Sequence, residues 1–349
     1  MISNRLLSLV RCPDCRGELR TEDSALVCPA CGRRYHAAGT DYLDLRPPDA
    51  FREQTKYLDE SLHADARHER ASPPLLGSKI RNDMLRSFLR PQQDDVVIDL
   101  GCGSGRTMVW NRDWTSAMVG VDIAPYFSAE ARRATDLLLG DLRKLPFADA
   151  TFTKAYSLDV LEHLSPEALD GMLAEAARIL KPGGALFVYT HVRKNARIAK
   201  GLRVINRFAE WLDRRGLVDL RQEHLRKSDH VNPLRDVPHL EAVTRAAGFR
   251  IARIRFYTPL VGGFVENVLV RMAERALAKR AARRMQTSGT PGDVDTRAIR
   301  EARTTAKQQI AKSPATYAAL RTISFAMKLD LLLFGRITSG PFFALLVKE

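Results

Sequence analysis

Short hydrophobic runs alternate with polar turns along residues 96–189 and predict a series of strands. Five such runs occur, at residues 96–100, 117–121, 137–140, 153–158 and 185–189. A helix is predicted over 166–180, between the fourth and fifth runs. Hydrophobic strands separated by helices are typical of a parallel sheet that is covered on both faces. The pattern therefore predicts an α/β fold.

The alternation stops at residue 191 and resumes near residue 237. The elements predicted beyond that point are a helix over 240–247 capped by Gly248, an alternating strand over 249–257, a helical stretch over about 264–336 and a strand over 341–348. We interpret 341–348 as the last strand of the sheet. Residues 191–237 and 262–336 are then helical insertions. The alternative is an independent C-terminal tail.

A glycine-rich turn follows the first strand. Asp99 precedes Gly101, Gly103 and Gly105, and an arginine stands at 106, where a dinucleotide-binding loop would have its third glycine. Glycines let the backbone approach a ligand closely, and amides at the start of the next helix face its polar groups. This D-x-G-x-G-x-G loop, with the acidic strand ends after it, resembles class I S-adenosylmethionine-dependent methyltransferases. Their fold is a Rossmann-like seven-stranded sheet.

The resemblance implies a role for each acidic strand end. Asp122 would accept hydrogen bonds from the ribose hydroxyls and Asp141 from the adenine amino group, because a carboxylate only accepts. Asp99 would orient the loop and the methionine end. A helix N-cap or a solvated strand end is the alternative for Asp122 and Asp141. The full expected cofactor set is Asp99, Gly101, Cys102, Gly103, Gly105, Asp122, Ile123, Asp141, Leu142 and Ser157.

Four of the five cysteines form two C-x-x-C pairs, Cys12 with Cys15 and Cys28 with Cys31, separated by 12 residues. Two such pairs complete a tetrahedral zinc site, and a closed set of four thiolates indicates a structural metal. Four unrelated thiols are the alternative. The segment through 39–46 resembles the zinc ribbons of the Trm112-like group. We therefore divide the chain into a zinc ribbon (1–46), connecting helices (47–90) and a methyltransferase domain (91–349).

The net charge of +14 is concentrated in two segments. Residues 191–235 carry 12 Lys/Arg against 5 Asp/Glu, and residues 266–336 carry 14 against 6. Apolar residues recur at helical spacing in both segments. Leu202, Phe208 and Leu212 are examples from the first. Such helices suit a membrane surface or a lipophilic acceptor with an anionic head. A cap with an apolar face on the core and a solvated basic face is the alternative.

The expected location is cytoplasmic, with a membrane surface as a further option. The first ten residues do not follow the signal-peptide pattern. The apolar stretch 323–334 contains Lys328 and Asp330 and is too short to cross a bilayer. The oligomeric state stays open.

Three histidines are candidates for the general base that an acceptor hydroxyl needs near neutral pH. His191 follows the fifth strand, His230 lies in the first insertion beside Asp229, and His163 lies in a Leu-Glu-His-Leu motif common in the resembled family. For each, a structural or solvated histidine is the alternative.

The expected function is S-adenosylmethionine-dependent O- or N-methylation of a small-molecule, lipid-like or glycoconjugate acceptor. The fourth strand lacks the Asn/Asp-Pro-Pro-Tyr motif of exocyclic amino methylation. One alternative is a ribosomal RNA or tRNA methyltransferase whose basic segments follow phosphates, although aromatic residues are only 7% of the chain, few for base stacking. The other alternative is a non-catalytic scaffold that binds S-adenosylmethionine.

Overall fold

The computed structural model describes residues 2–22, 25–36, 41–46, 72–192, 199–220, 230–231, 233–276, 314–338 and 340–349. The strands are β1 (Arg20–Glu22), β2 (Ala25–Val27), β3 (Arg34–His36), β4 (Leu43–Asp44), β5 (Val97–Leu100), β6 (Met118–Asp122), β7 (Asp136–Leu139), β8 (Phe152–Leu158), β9 (Leu180–His191), β10 (Phe249–Phe256) and β11 (Pro341–Lys348). The helices are α1 (Asn4–Leu9), α2 (Leu76–Leu89), α3 (Arg106–Trp110), α4 (Ala129–Ala134), α5 (Pro166–Ile179), α6 (Ala199–Arg214), α7 (Val237–Ala246), α8 (Leu260–Phe264), α9 (Pro314–Met327) and α10 (Leu329–Phe334).

The central sheet has eight strands in the order β10–β11–β9–β8–β5–β6–β7–β4. Strand β11 is antiparallel to both of its neighbours, and the pairs from β9 to β4 are parallel. The predicted last strand is confirmed, since Phe342 pairs with Thr190 of β9 and with Phe256 of β10. The described helices between β10 and β11 are therefore inserted between two neighbouring strands of one sheet.

Two hydrophobic clusters lie against the sheet because alternate strand residues point to opposite faces. Ile98 and Leu100 of β5 belong to one cluster and Val97 to the other. The same alternation holds in β6, where Val119 and Met118 belong to different clusters. All four residues of β5 are buried, as expected for a central parallel strand covered on both sides.

The N-terminal ribbon shares its hydrophobic core with the sheet. Leu6, Val10 and Leu26 of the ribbon belong to the same buried cluster as Val121 and Leu138. Strand β4 leaves the ribbon and pairs in parallel with β7, Leu43 opposite Leu138, which adds an eighth strand to the seven that were predicted. An independently folding ribbon would not be expected to share a core with the next domain. The domain limits at 46 and 90 themselves stay a prediction.

Helix α6 shows that a simple apolar row overstates burial. Leu202 and Leu212 are buried, as in the alternative of a cap packed on the core, but Phe208 is exposed and stacks on Trp211 with ring centroids 5.8 Å apart. In the second insertion α8 continues into a π-helical turn, Val265–Val270, which changes the helical repeat and leaves Leu269 exposed while Val268 is buried.

Buried polar contacts join the second insertion to α2. The Ser324 hydroxyl accepts from the Leu76 amide at 2.7 Å, and the Glu266 carboxylate accepts from the Gly77 amide at 3.0 Å. Asp330, fully buried, accepts from the amides of Val261 and Gly262. These contacts place the insertion helices next to α2 at one side of the sheet.

Several predictions fall outside the described residues. They are the part of the connecting helices before residue 72, residues 277–313 of the second basic segment, and Asp229 beside His230. None of the described helices is both long and apolar enough to span a membrane.

Candidate active site and cysteine cluster

The glycine loop between β5 and α3 has three residues in the left-handed region, where glycine is favoured. Gly101, Gly103 and Gly105 have φ of +83°, +53° and +75°. A Cβ at Gly105 would lie 2.5 Å from the Cβ of Ala131, and a Cβ at Gly101 would collide with Val160. A Cβ at Gly103 would meet nothing within 4 Å. The first and third glycines therefore permit packing, and the middle one faces open space that a ligand can fill.

Asp122 lies at the end of β6, directly beside this loop. Its carboxylate accepts from the Gly103 amide at 2.7 Å and from the Ala124 amide at 2.9 Å. Burial raises the pKa of Asp122, and the hydrogen bonds from backbone amides oppose that rise. Since a carboxylate has about four lone-pair sites, two amides leave capacity for two further donors. The arrangement suits a vicinal diol such as a ribose.

Asp99 supplies a test of whether the loop fits a cofactor. It is buried, and its Oδ1 atom has no hydrogen-bond partner within the described part of the chain. Burial raises the pKa of Asp99 well above its usual value, while a hydrogen bond with Tyr156 opposes this. A buried oxygen without a partner is rare in folded proteins and indicates a missing donor. The amino group of a bound S-adenosylmethionine would be such a donor.

The predicted adenine end lies one strand further along the sheet. The Asp141 carboxylate accepts from the Arg143 amide at 2.8 Å and forms an ion pair with its guanidinium, also at 2.8 Å. The Ile123 carbonyl accepts from Arg46 at 3.2 Å, and Arg46 also pairs with Asp44. Arg46 follows β4, so the ribbon segment reaches the edge of the cofactor site. Sequence reasoning missed this residue because its position depends on the β4–β7 pairing.

Ser157 and Cys102, two further members of the expected cofactor set, are buried. The Ser157 hydroxyl is fully buried and donates to the Leu100 carbonyl at 2.8 Å, which joins β8 to β5. Cys102 is buried, and burial raises the pKa of its thiol well above the usual value. Both therefore support the loop by packing. Direct contact of either residue, or of Leu142, with the cofactor stays a prediction.

The structure brings the three candidate histidines together. His163 ends a short 3₁₀ turn, Leu161–His163, after β8, and His191 ends the neighbouring parallel strand β9. The His230 ring lies edge-on to His163 with centroids 4.6 Å apart, and its Nδ1 is 3.4 Å from His191 Nε2. Parallel neighbours have their carboxyl ends at one edge of the sheet, which is where ligands of open α/β sheets bind.

Glu162 is a fourth member of this cluster and was not singled out from the sequence. Its carboxylate is 2% exposed, accepts from the Thr190 hydroxyl at 2.9 Å and has Oε1 3.9 Å from His191 Nε2. Burial, followed by the nearby Asp159, raises the pKa of Glu162 to about 8. The Leu-Glu-His-Leu motif could have indicated Glu162, because this acid directly precedes His163.

Arg81 on α2 extends the polar edge of the site. Its Nε lies 3.5 Å from Asp159, and its guanidinium carbon lies 5.6 Å from the centre of the Tyr189 ring. Asp159 follows β8 in the left-handed region with φ +56°. A charged side chain from α2 thus meets the ends of β8 and β9, a contact between residues far apart in the chain that no local pattern indicates.

The four ribbon cysteines form a compact cluster. The four Sγ atoms all lie within 4.8 Å of one another. The Sγ atoms of Cys12 and Cys31 are 3.6 Å apart, and those of Cys15 and Cys28 are 3.4 Å apart. Four sulfurs about 2.3 Å from a tetrahedral zinc would be separated by roughly 3.8 Å. The Tyr35 hydroxyl lies 3.3 Å from the Cys12 sulfur and donates to Asp14. The cluster is therefore compatible with zinc.

Two regions of the chain match known protein families. Residues 98–188 match the family described as a methyltransferase domain, and residues 3–36 match the Trm112p-like protein family. The sterol 4-C-methyltransferase strm-1 of Caenorhabditis elegans is 32% identical over 107 residues, 28% of this chain and 31% of that protein. The probable tRNA methyltransferase 9B of Mus musculus is 32% identical over 121 residues, 33% of this chain and 27% of that protein.

Among solved structures, a phosphoethanolamine N-methyltransferase 2 of Haemonchus contortus in complex with S-adenosyl-L-methionine is 14% identical with a TM-score of 0.48. The alignment covers 85% of this chain and 58% of that chain. The chain spans about a third or less of the two curated relatives described above. The chain therefore contains a methyltransferase domain match within a mixed α/β fold, preceded by a match to the Trm112p-like family.

Proposed function

We propose that the protein is an S-adenosylmethionine-dependent methyltransferase that acts on a small, lipid-like or glycoconjugate acceptor. The observation that carries the proposal is the contact between two parts of the site. The glycine loop, with Asp122 and the unpartnered Asp99 oxygen, touches Val160, and the Glu162–His163 turn follows directly. A cofactor held by the loop would therefore present its reactive end to the histidine cluster.

The cofactor supplies an electrophilic methyl group, and the chain supplies position. Asp122 would accept hydrogen bonds from the ribose, Asp99 from the amino group of the methionine end, and Asp141 from the adenine. The cluster of Glu162 and the three histidines orients the acceptor for in-line displacement, and correct alignment alone provides much of such a rate enhancement. The general-base role expected of His230, His191 or His163 stays a prediction.

The charges around the acceptor end favour a small acceptor over RNA. At this edge Arg81 is already paired with Asp159, and Glu162 is a buried acid whose pKa burial raises to about 8. A phosphate backbone needs several unpaired cations along its path, and the ion pair and the buried acid do not supply them. The sterol and tRNA relatives are compatible with either acceptor class. The local charge therefore supports the small acceptor.

Calorimetric titration with S-adenosylhomocysteine tests the cofactor site. Asp122→Ala removes charge-assisted hydrogen bonds, so the affinity should fall about tenfold to a hundredfold. Asp113→Ala, an exposed acid paired with Arg86, is the control and should leave binding unchanged. Equal affinities of the wild type and Asp122→Ala would overturn the assignment of the ribose site.

Transfer of a labelled methyl group tests the acceptor class. The wild type is incubated with the solvent-extracted lipids and small molecules of a cell lysate and, separately, with its total RNA. Label in the extracted fraction supports the proposal, and label in RNA alone supports the RNA alternative. Binding of S-adenosylhomocysteine without transfer to either fraction would instead indicate a scaffold.

We also propose that the cysteine cluster binds one structural zinc ion per chain. Metal analysis of protein purified without chelator should find zinc in the wild type and in Cys102→Ala, whose thiol lies outside the cluster. Cys28→Ser should lose it, because three thiolates and a hydroxyl bind zinc less tightly. A wild type without zinc would refute this assignment. A cytoplasmic location and contact of the basic helices with a membrane surface remain proposals as well.

A further inference from the structure

We infer that Glu162, His163 and His230 form a second metal site, for a divalent cation of the zinc or manganese class, at the acceptor end. One donor atom from each of the three residues lies within 4.8 Å of the other two. Two imidazoles and one carboxylate are a donor set that first-row transition metals accept. The inference that the cation binds the methyl acceptor rests on the proposed methyl transfer. The inference that these residues bind a cation does not depend on it.

The fold brings the donors from two distant parts of the chain. Glu162 and His163 are neighbours on the 3₁₀ turn after β8, and His230 comes from the segment between α6 and α7. The rings of His163 and His230 are in edge-on contact with centroids 4.6 Å apart, so two imidazoles lie next to the Glu162 carboxylate. Because the first insertion supplies the third ligand, cation binding would fix that segment against the sheet edge.

Neighbouring side chains orient the donors in the way that outer-sphere partners do in metal sites. The Thr190 hydroxyl donates to Glu162 Oε2 at 2.9 Å, which limits rotation of the carboxylate. His191 Nε2 is 3.4 Å from His230 Nδ1 and 3.9 Å from Glu162 Oε1. Partners that hold a ligand in this manner commonly strengthen metal binding about tenfold or more. We therefore assign His191 as a positioning residue.

The second site differs from the cysteine site of the ribbon in its donor atoms and in the number of coordination positions that it leaves free. Four thiolates close the ribbon site and prefer zinc, whereas imidazole and carboxylate donors also accept manganese. Three protein ligands leave at least one coordination position for water or for an oxygen of the acceptor, as in catalytic metal sites. The acceptor class that fits is a molecule whose hydroxyl, phenol or carboxylate oxygen can bind the cation next to the methyl donor.

Manganese titration of the full-length, zinc-loaded protein, followed by electron paramagnetic resonance, tests the site without interference from the thiolates. The wild type should bind one equivalent of Mn²⁺, and added Zn²⁺ should displace it. Glu162→Gln, which retains the shape of the side chain, and His163→Ala should each weaken Mn²⁺ binding by at least about tenfold. His239→Ala, a histidine on α7 outside the cluster, should bind as the wild type does.

Two results would overturn the inference. The first is a wild type that binds neither Mn²⁺ nor a second equivalent of Zn²⁺. The second is undiminished binding by folded Glu162→Gln or His163→Ala, with folding judged from the thermal transition. S-adenosylhomocysteine titration of the same samples separates this inference from the proposed function. Samples that fail to bind Mn²⁺ but still bind S-adenosylhomocysteine contradict the second metal site and leave the proposed function intact. Samples that bind Mn²⁺ but not S-adenosylhomocysteine contradict the proposed function alone.

Discussion

Leu43→Ala should destabilise the methyltransferase domain although Leu43 lies in the segment that leaves the ribbon. Leu43 is fully buried, pairs with Leu138 of β7 and belongs to the core cluster that both parts share. Leucine-to-alanine changes in such positions cost about 2–5 kcal/mol. The total stability of a domain is about 5–15 kcal/mol. With about 2.1 cal/mol/K of unfolding entropy per residue over 349 residues, the expected fall in melting temperature is about 3–7 °C.

Two probes show whether one unit unfolds or two. Tryptophan fluorescence follows the sheet region through the buried Trp114, and pulse alkylation of the buried Cys12 and Cys28 follows the ribbon. Both transitions should coincide in the wild type and shift together in Leu43→Ala. Leu332→Ala, an exposed leucine on α10, is the control and should change stability by less than about 0.5 kcal/mol. A cysteine transition that shifts alone would refute the shared core.

Three further outcomes follow from particular contacts. Gly105→Ala should lower stability by about 1–3 kcal/mol in thermal unfolding, because of the left-handed φ and the nearby Ala131. Gly103→Ala should be as stable or more stable than Gly105→Ala, yet weaken S-adenosylhomocysteine binding in calorimetry, because its Cβ points into open space; unchanged binding would contradict the ligand position. Phe208→Ala with Trp211→Ala should reduce co-sedimentation with anionic liposomes if α6 contacts a membrane, and equal sedimentation would exclude that contact.

Local sequence patterns were sufficient for seven of the eight strands of the central sheet, for the glycine loop and for the cysteine pairs. Each depends on residues within about twenty positions of one another, so periodicity and spacing carry the information. The placement of β11 was also predictable, since an apolar run was left for the last strand. The limit of such patterns appears in α6 and the π-helical turn, where apolar spacing does not distinguish the buried Leu212 and Val268 from the exposed Phe208 and Leu269.

Only the tertiary structure decided which distant residues meet. The pairing of β4 with β7 carries Arg46 to the Ile123 carbonyl, and the parallel alignment of β8 with β9 puts Glu162 beside His191. His230 reaches this cluster from an insertion whose own pattern indicates only a basic helix. The sequence alone determined the elements and the chemistry available at their ends. Whether distant side chains meet at one site depends on strand order and packing. Both arise from contacts across the whole chain and leave no short-range pattern.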